Sequence, residues 1–365
     1  MAARGQASRA LGRLLAGCAS LALVACSDRF PPSRSDEQPR SRIHVPASPE
    51  PTPTASSDPV DASSTPVPST TPISSATPVS SVTPAPSVTP AACATPECVT
   101  PALAQRFVII GDYGSSGPSE ANIAALVARL RPDFVVTTGD NNYPYGEAET
   151  IDENIGRYFH AFIAPYRGRF GSGARENRFF PCLGNHDWYS LGARPYLDYF
   201  SLPNNERYYQ IVRGNVQLFA LDSDANEPDG TTVGSKQAHW LEALLGASEV
   251  PWRVVFFHHP PYSSGLVHGA TVEMRWPFAE WGASIVYSGH DHTYERLAVD
   301  GLPYIVNGVG GTDDLYELGE PVPESLVRHT DVHGLVLVTA SATDFVSRFL
   351  DERGVELDVV ALHKN

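Results

Sequence analysis

Five apolar runs in this chain each stop at a residue that carries a donor atom. The run 106–110 ends at Gly111-Asp112, and 134–138 ends at Gly139-Asp140. The run 179–183 ends at Gly184-Asn185-His186, 253–257 at His258, and 284–287 just before Gly289-His290-Asp291-His292. Continuous apolar runs of this length predict strands buried on both faces, the habit of parallel sheets. Amphipathic stretches at 119–130 and 235–245 predict helices between them. In open α/β folds, ligands gather beyond the carboxyl ends of strands. A single Gly-Asp after a strand reflects only what turns prefer. Five such ends in one chain predict a shared rim of polar side chains. Further apolar runs at 216–221, 304–306, 334–340 and 345–350 supply more strands.

Ahead of residue 105 the composition changes, because many of the 32 prolines lie there. Arg4, Arg9 and Arg13 precede an apolar stretch, 14–25, that is too short to span a bilayer. Residues 1–25 therefore read as a signal peptide. The quartet Leu23-Val24-Ala25-Cys26 resembles the bacterial lipoprotein box, in which Cys26 becomes a lipidated N-terminus. Leu15-Ala16-Gly17-Cys18 also fits the box but has almost no apolar run before it. The alternative is an ordinary signal peptide with an incidental Cys26. Residues 26–104 read as a disordered Pro/Ser/Thr-rich tether, which cannot bury enough surface to offset its ordering entropy. Such a tether has an r.m.s. span of roughly 50 Å; a mucin-like stalk is the alternative. Residues 105–365 are left as the globular domain. The expected location is extracytoplasmic, in a bacterial cell envelope, with the membrane held through lipid on Cys26.

Cys93 and Cys98 flank a short turn, and in an exported chain they predict a local disulfide. Cys182 lies alone in an apolar run and reads as a buried thiol. The formal net charge of −15 argues against nucleic acid as a partner.

The blocks Gly111-Asp112-Tyr113-Gly114, Gly139-Asp140-Asn141-Asn142-Tyr143, Gly184-Asn185-His186-Asp187, His258-His259-Pro260 and Gly289-His290-Asp291-His292 stand in one characteristic order. In that order they resemble the calcineurin-like metallophosphoesterases over roughly residues 105–310. Most of that superfamily has a His two residues after the first Asp, where this chain has Gly114 and supplies Tyr143 instead. That exchange resembles the purple acid phosphatases, of the low-molecular-weight, tartrate-resistant type. The resemblance implies an α/β fold, a two-sheet β-sandwich flanked by helices. It implies two metal ions, Fe(III) and a divalent Fe, Zn or Mn. Asp112, Tyr143 and His292 would hold the first, Asn185, His258 and His290 the second, and Asp140 would bridge. His186 would face the phosphate. His268 falls at about the spacing of a His that serves the leaving group, with a solvated loop residue as the alternative.

The chemistry suits these residue types. Two cations about 3.5 to 4 Å apart can generate hydroxide and relieve charge on a transferring phosphoryl group. One carboxylate has two oxygens with which to bridge them. A hard phenolate suits Fe(III), and neutral N and amide O suit a softer divalent ion. The predicted reaction is phosphomonoester hydrolysis by metal-bound hydroxide. The alternatives are a phosphodiesterase on the same fold or a non-catalytic surface-binding module. His258 and His259 are adjacent, so only one is expected to face the rim, and the His-x-Pro pattern favours His258. His239 reads as a structural helix residue, and His329, His333 and His363 match no block. Asp187, Asp222 and Asp224 read as local hydrogen-bonding groups. Trp188 and Tyr189 read either as walls of the pocket or as packing.

Overall fold

The computed structural model describes residues 104–364. The signal peptide, Cys18, Cys26, the tether up to residue 103 and the Cys93–Cys98 pair lie outside the described residues. The described strands form two mixed sheets. The first is built around three parallel strands: β1 (Gln105–Ile110), β2 (Phe134–Thr137) and β3 (Phe179–Pro181). Helix α1 (Pro118–Leu130) makes the β1–β2 crossover, with Pro118 at its first turn and Arg131 closing it in the left-handed region. A short turn, α2 (Arg157–Phe159), precedes β3, and two more, α3 (Asn185–Trp188) and α4 (Arg194–Tyr199), follow it.

The second sheet begins with β4 (Tyr209–Arg213), antiparallel to β5 (Val216–Ala220). Its parallel centre is β5, β6 (Trp252–Phe256), β7 (Ile285–Ser288) and β9 (Leu302–Asn307). Helices α5 (Lys236–Ala247) and α6 (Phe278–Trp281) cross between the first three of these. The Ser235 hydroxyl caps α5 by accepting from the Ala238 N–H at 3.1 Å. Strand β8 (Tyr294–Val299) returns antiparallel beside β9, and β10 (Ser325–His329) edges it. The chain then re-enters the first sheet through β11 (Gly334–Ala340), β12 (Asp344–Asp351) and β13 (Glu356–His363). The orders are β13-β12-β11-β1-β2-β3 and β10-β8-β9-β7-β6-β5-β4.

The period of two along each strand sorts the core into layers. Val254, Phe256, Ile285, Tyr287 and Ile305 face the first sheet, and their neighbours Val255, Phe257, Val286, Tyr304 and Val306 face α5 and α6. On the first sheet, Ile123, Leu126 and Val127 of α1 join the buried cluster. Each such side chain contributes about 1.5–3 kcal/mol by leaving water. Across the seam Trp252 meets Phe345 at 5.5 Å, and Tyr294 stacks on Phe349 at 3.8 Å. The Tyr287 hydroxyl donates to Ser347 Oγ at 2.9 Å. The result is the predicted two-sheet sandwich with helices on its outer faces.

Strands β4, β8, β10 and β13 have no counterpart among the apolar runs. They lie at or near sheet margins, and their residues alternate or stay half exposed instead of forming continuous apolar stretches. A search for doubly buried runs passes over such strands.

Candidate metal centre

Because β1, β2, β3, β6 and β7 run in register-compatible parallel sets, their carboxyl ends share one rim. Asp112 and Asp140 leave β1 and β2 at that rim with φ of 54° and 49°, and His290 leaves β7 with φ of 71°. Left-handed backbone at a residue other than glycine costs of order 1–3 kcal/mol and clusters at functional sites. Two glycines here are dictated by close approach. At Gly139, φ is +95°, and a Cβ would sit 2.7 Å from His258 Nδ1. At Gly114 a Cβ would lie 1.8 Å from the Asn141 carbonyl oxygen. The Asn141–Asn142 backbone closes that position to any side chain, and the Tyr143 N–H donates to the Gly114 carbonyl at 2.8 Å, which holds the segment there. The segment that delivers Tyr143 therefore occupies the space a histidine at 114 would need.

The seven expected ligands come together in two groups. In the first, Tyr143 Oη lies 3.4 Å from Asp112 Oδ1 and 3.2 Å from His292 Nε2, and His292 Nε2 lies 3.5 Å from Asp112 Oδ1. In the second, His258 Nε2 lies 3.0 Å from Asn185 Oδ1 and 3.1 Å from His290 Nδ1. Asp140 joins them: its Oδ2 is 2.9 Å from Tyr143 Oη and 3.4 Å from His258 Nε2. Ligand atoms of Asp112, Asp140 and His258 all lie within 4.8 Å of one another, close enough for one cation.

The donor set fits metal ions. His258 Nδ1 sits 2.8 Å from the Thr138 carbonyl and His292 Nδ1 sits 2.7 Å from the Asp314 carbonyl. A carbonyl can only accept, so each Nδ1 carries a hydrogen, which leaves Nε2 as the nitrogen that could bind a cation once it has given up its own proton. This is the outer hydrogen bonding that fixes a ligand histidine. Among the described residues, the ion-pair contacts of Asp112 and Asp140 are all with histidines, never with arginine or lysine. Burial disfavours the His258 imidazolium, yet the charges of Asp140 and Asp112 lift it to about 10. Burial likewise opposes an ionised Asp140, but His258, His186 and His290 hold it well below the usual carboxylate range. Burial, then Asp140 and Asp112, push the Tyr143 phenol well above its ordinary value, so ionising it needs a cation in contact.

The two candidate catalytic histidines flank the cluster. The His186 N–H donates to Asp140 Oδ1 at 3.0 Å, its Nδ1 lies 2.6 Å from the Pro144 carbonyl, and its Nε2 is 3.9 Å from Asp140 Oδ2. The exposed His268 stacks on His290 with ring centroids 4.0 Å apart, and the buried Asp291 accepts from the His268 and Gly269 N–H groups at 3.3 Å. His239 is exposed on α5, and His333 and His363 bond elsewhere, to Thr312 and Asp344.

Some functional neighbours were not legible in the blocks. His259 was expected to turn away from the rim, but its ring lies 4.4 Å from His290, with Nδ1 2.9 Å from Ser223 Oγ. The loop after the strand bends enough to bring both adjacent imidazoles to one side. Tyr316 stacks on His292 at 4.1 Å. Asn141, directly after Asp140, is a buried hub. It accepts from Tyr113 and Thr137 and donates to the Cys182 carbonyl and to Asp187. Asp187 also accepts from the Gly184 N–H at 2.9 Å, and Asp222 accepts from Trp188 Nε1 at 3.1 Å, so both act as local hydrogen-bonding groups. Cys182 is a buried free thiol.

Residues 105–294 match the family described as calcineurin-like phosphoesterase. The chain is 26% identical over 238 residues to purple acid phosphatase 17 of Arabidopsis thaliana, covering 56% of this chain and 68% of that one. It is 25% identical over 302 residues to the tartrate-resistant acid phosphatase type 5 of Homo sapiens, covering 71% and 90%. A purple acid phosphatase structure from yellow lupin seeds superposes with a TM-score of 0.60 at 18% identity, covering 72% of this chain and 54% of that one, a likeness of fold. With its metal-competent rim and these relatives, the chain belongs to the calcineurin-like phosphoesterase family and is a hydrolase of phosphoric ester bonds.

Proposed function

We propose that the protein hydrolyses phosphomonoesters at a binuclear metal centre of the purple acid phosphatase kind. The observation that carries this reading is the placement of Asp140 Oδ2, 2.9 Å from Tyr143 Oη and 3.4 Å from His258 Nε2, where one carboxylate serves both donor groups. Asp112, Tyr143 and His292 would hold Fe(III); Asn185, His258 and His290 would hold a divalent Fe, Zn or Mn. When bound, the pair supplies an activated water and charge relief for the phosphoryl group.

The chain's own residues do the rest. With Nδ1 anchored on the Pro144 carbonyl, His186 presents Nε2 beside Asp140, where it can donate to a phosphoryl oxygen when protonated. His268, at the exposed rim over His290, is placed to share a proton with the departing oxygen. Asp140 also fixes the start of α3 through the His186 N–H, so the bridge and the phosphate-facing histidine move together.

Metal analysis with an ester panel tests the reading. Two metals per chain, loss of turnover on chelation, and aryl monoester turnover above bis-aryl diester turnover are expected. Full turnover in metal-free protein, or diester preference, would overturn it. A phenolate on Fe(III) should give the oxidised enzyme a visible band and activity that peaks below neutrality; Tyr143→Phe should bleach the band. We further propose that the chain is exported and held to a membrane through Cys26. Cys26→Ala should then move it to the soluble exported fraction, and continued partition into detergent would refute that anchor.

A further inference from the structure

Asn185 is a demanding ligand, because its amide has two nearly isosteric ends and only Oδ1 can bind a metal. Something must hold the Nδ2 end away from the cluster. Among the described residues the recorded partner of Nδ2 is Tyr189, whose Oη accepts from it at 3.0 Å. Tyr189 lies four residues on, one helical turn away, so its hydroxyl can reach back over the start of the α3 turn. On the other side, Oδ1 lies 3.0 Å from His258 Nε2. The ring of Tyr189 also meets His186 edge-on at 5.0 Å, and the Tyr143 ring lies 4.4 Å from His186.

Tyr189 is not part of the buried core. It is 57% exposed, beside the equally exposed Tyr145, with the ring centroids 6.3 Å apart. Its neighbour Trp188 behaves differently. It is half-buried, packs against the core cluster and donates to Asp222. The pair that looked equivalent along the chain therefore divides: Trp188 packs, and Tyr189 touches two residues of the site.

We infer that Tyr189 is a positioning residue for the second metal, its hydroxyl holding Asn185 with Oδ1 toward that cation. This rests on the binuclear reading above. Removing the acceptor frees the amide to turn its NH₂ inward, where it repels a cation. Outer hydrogen-bond partners of metal ligands are typically worth about 10- to 100-fold in metal affinity.

The test is Zn²⁺ binding to the second site of the full chain, read by chelator competition, with total metal content and apo-protein melting measured alongside. Tyr189→Phe keeps the ring against His186 and removes only the hydroxyl. It should weaken Zn²⁺ about tenfold or more while the first metal stays at one per chain and apo melting is unchanged. In an Asn185→Asp background either oxygen can face the metal, so Tyr189→Phe should there change affinity less than threefold. A change below threefold in the native background would overturn the inference, and so would an equal loss in both backgrounds. If the unsubstituted protein itself binds fewer than two metals, the binuclear reading fails, which is a separate and distinguishable result.

Discussion

The two sheets contribute different chemistry to one rim. The first sheet's strands deliver oxygen: Asp112 after β1, Asp140 and Tyr143 after β2, and Asn185 after β3. The second delivers nitrogen: His258 after β6, and His290 and His292 after β7. Each group of converging donors draws on both sheets. The seam is also stitched by direct bonds, with His258 Nδ1 on the Thr138 carbonyl and the His290 N–H on the Asp112 carboxylate at 3.0 Å. Neither of the two expected donor sets is complete on one sheet, so both assemble only when the sandwich is closed. Bound metal should in turn hold the sandwich shut.

That contrast can be broken most sharply at Asp140, the oxygen donor shared by both groups. Asp140→Ala should lower kcat/KM by about 10⁴-fold or more, over 5 kcal/mol of transition-state stabilisation, and should empty both sites in metal analysis. Retained metal with normal turnover would mean the two halves are independent. His186→Ala removes none of the seven expected donors, only a ring 3.9 Å from Asp140 Oδ2. It should cost about a hundredfold or more in turnover, the usual worth of acid–base assistance, with both metals retained. Parallel loss of metal would place His186 among the ligands.

Smaller effects separate the rim from the core. If cations link the sheets, then saturating metal at about 100 times its Kd should add about 2.7 kcal/mol of stability. In a domain of this size that is roughly 5–10 °C in Tm, seen by melting with and without chelator. An unchanged Tm would show that the sandwich closes without help from the rim. Tyr287→Phe removes the inter-sheet bond to Ser347 in the core, about 1 kcal/mol. It should lower stability slightly and leave metal content untouched.

The candidate site was legible along the chain wherever a donor residue follows closely on a buried strand, as at Asp112, Asp140, Asn185 and His258. Strand burial is a local apolar pattern, and the end of a parallel strand has only one place to go. Residues whose roles depend on contact across the chain were not legible. Asn141 meets Asp187 from 46 positions away, and Tyr316 reaches His292 through a loop. The strands β8 and β13 stayed hidden because a marginal strand needs only one apolar face.

Local pattern determined by itself that this chain makes an α/β fold with metal-competent donors at its strand ends, because period and strand-end chemistry are properties of neighbouring residues; the two-sheet sandwich was an expectation of the family resemblance. Tertiary structure alone decided how those donors divide between the two sheets. It decided that Gly114 must be bare because the Asn141–Asn142 backbone lies against it. It also decided that His259 faces the same side as His258, and that Tyr189 and Trp188 have separate duties. Those outcomes depend on distances between segments far apart in the chain, and such distances are set only when both sheets have packed.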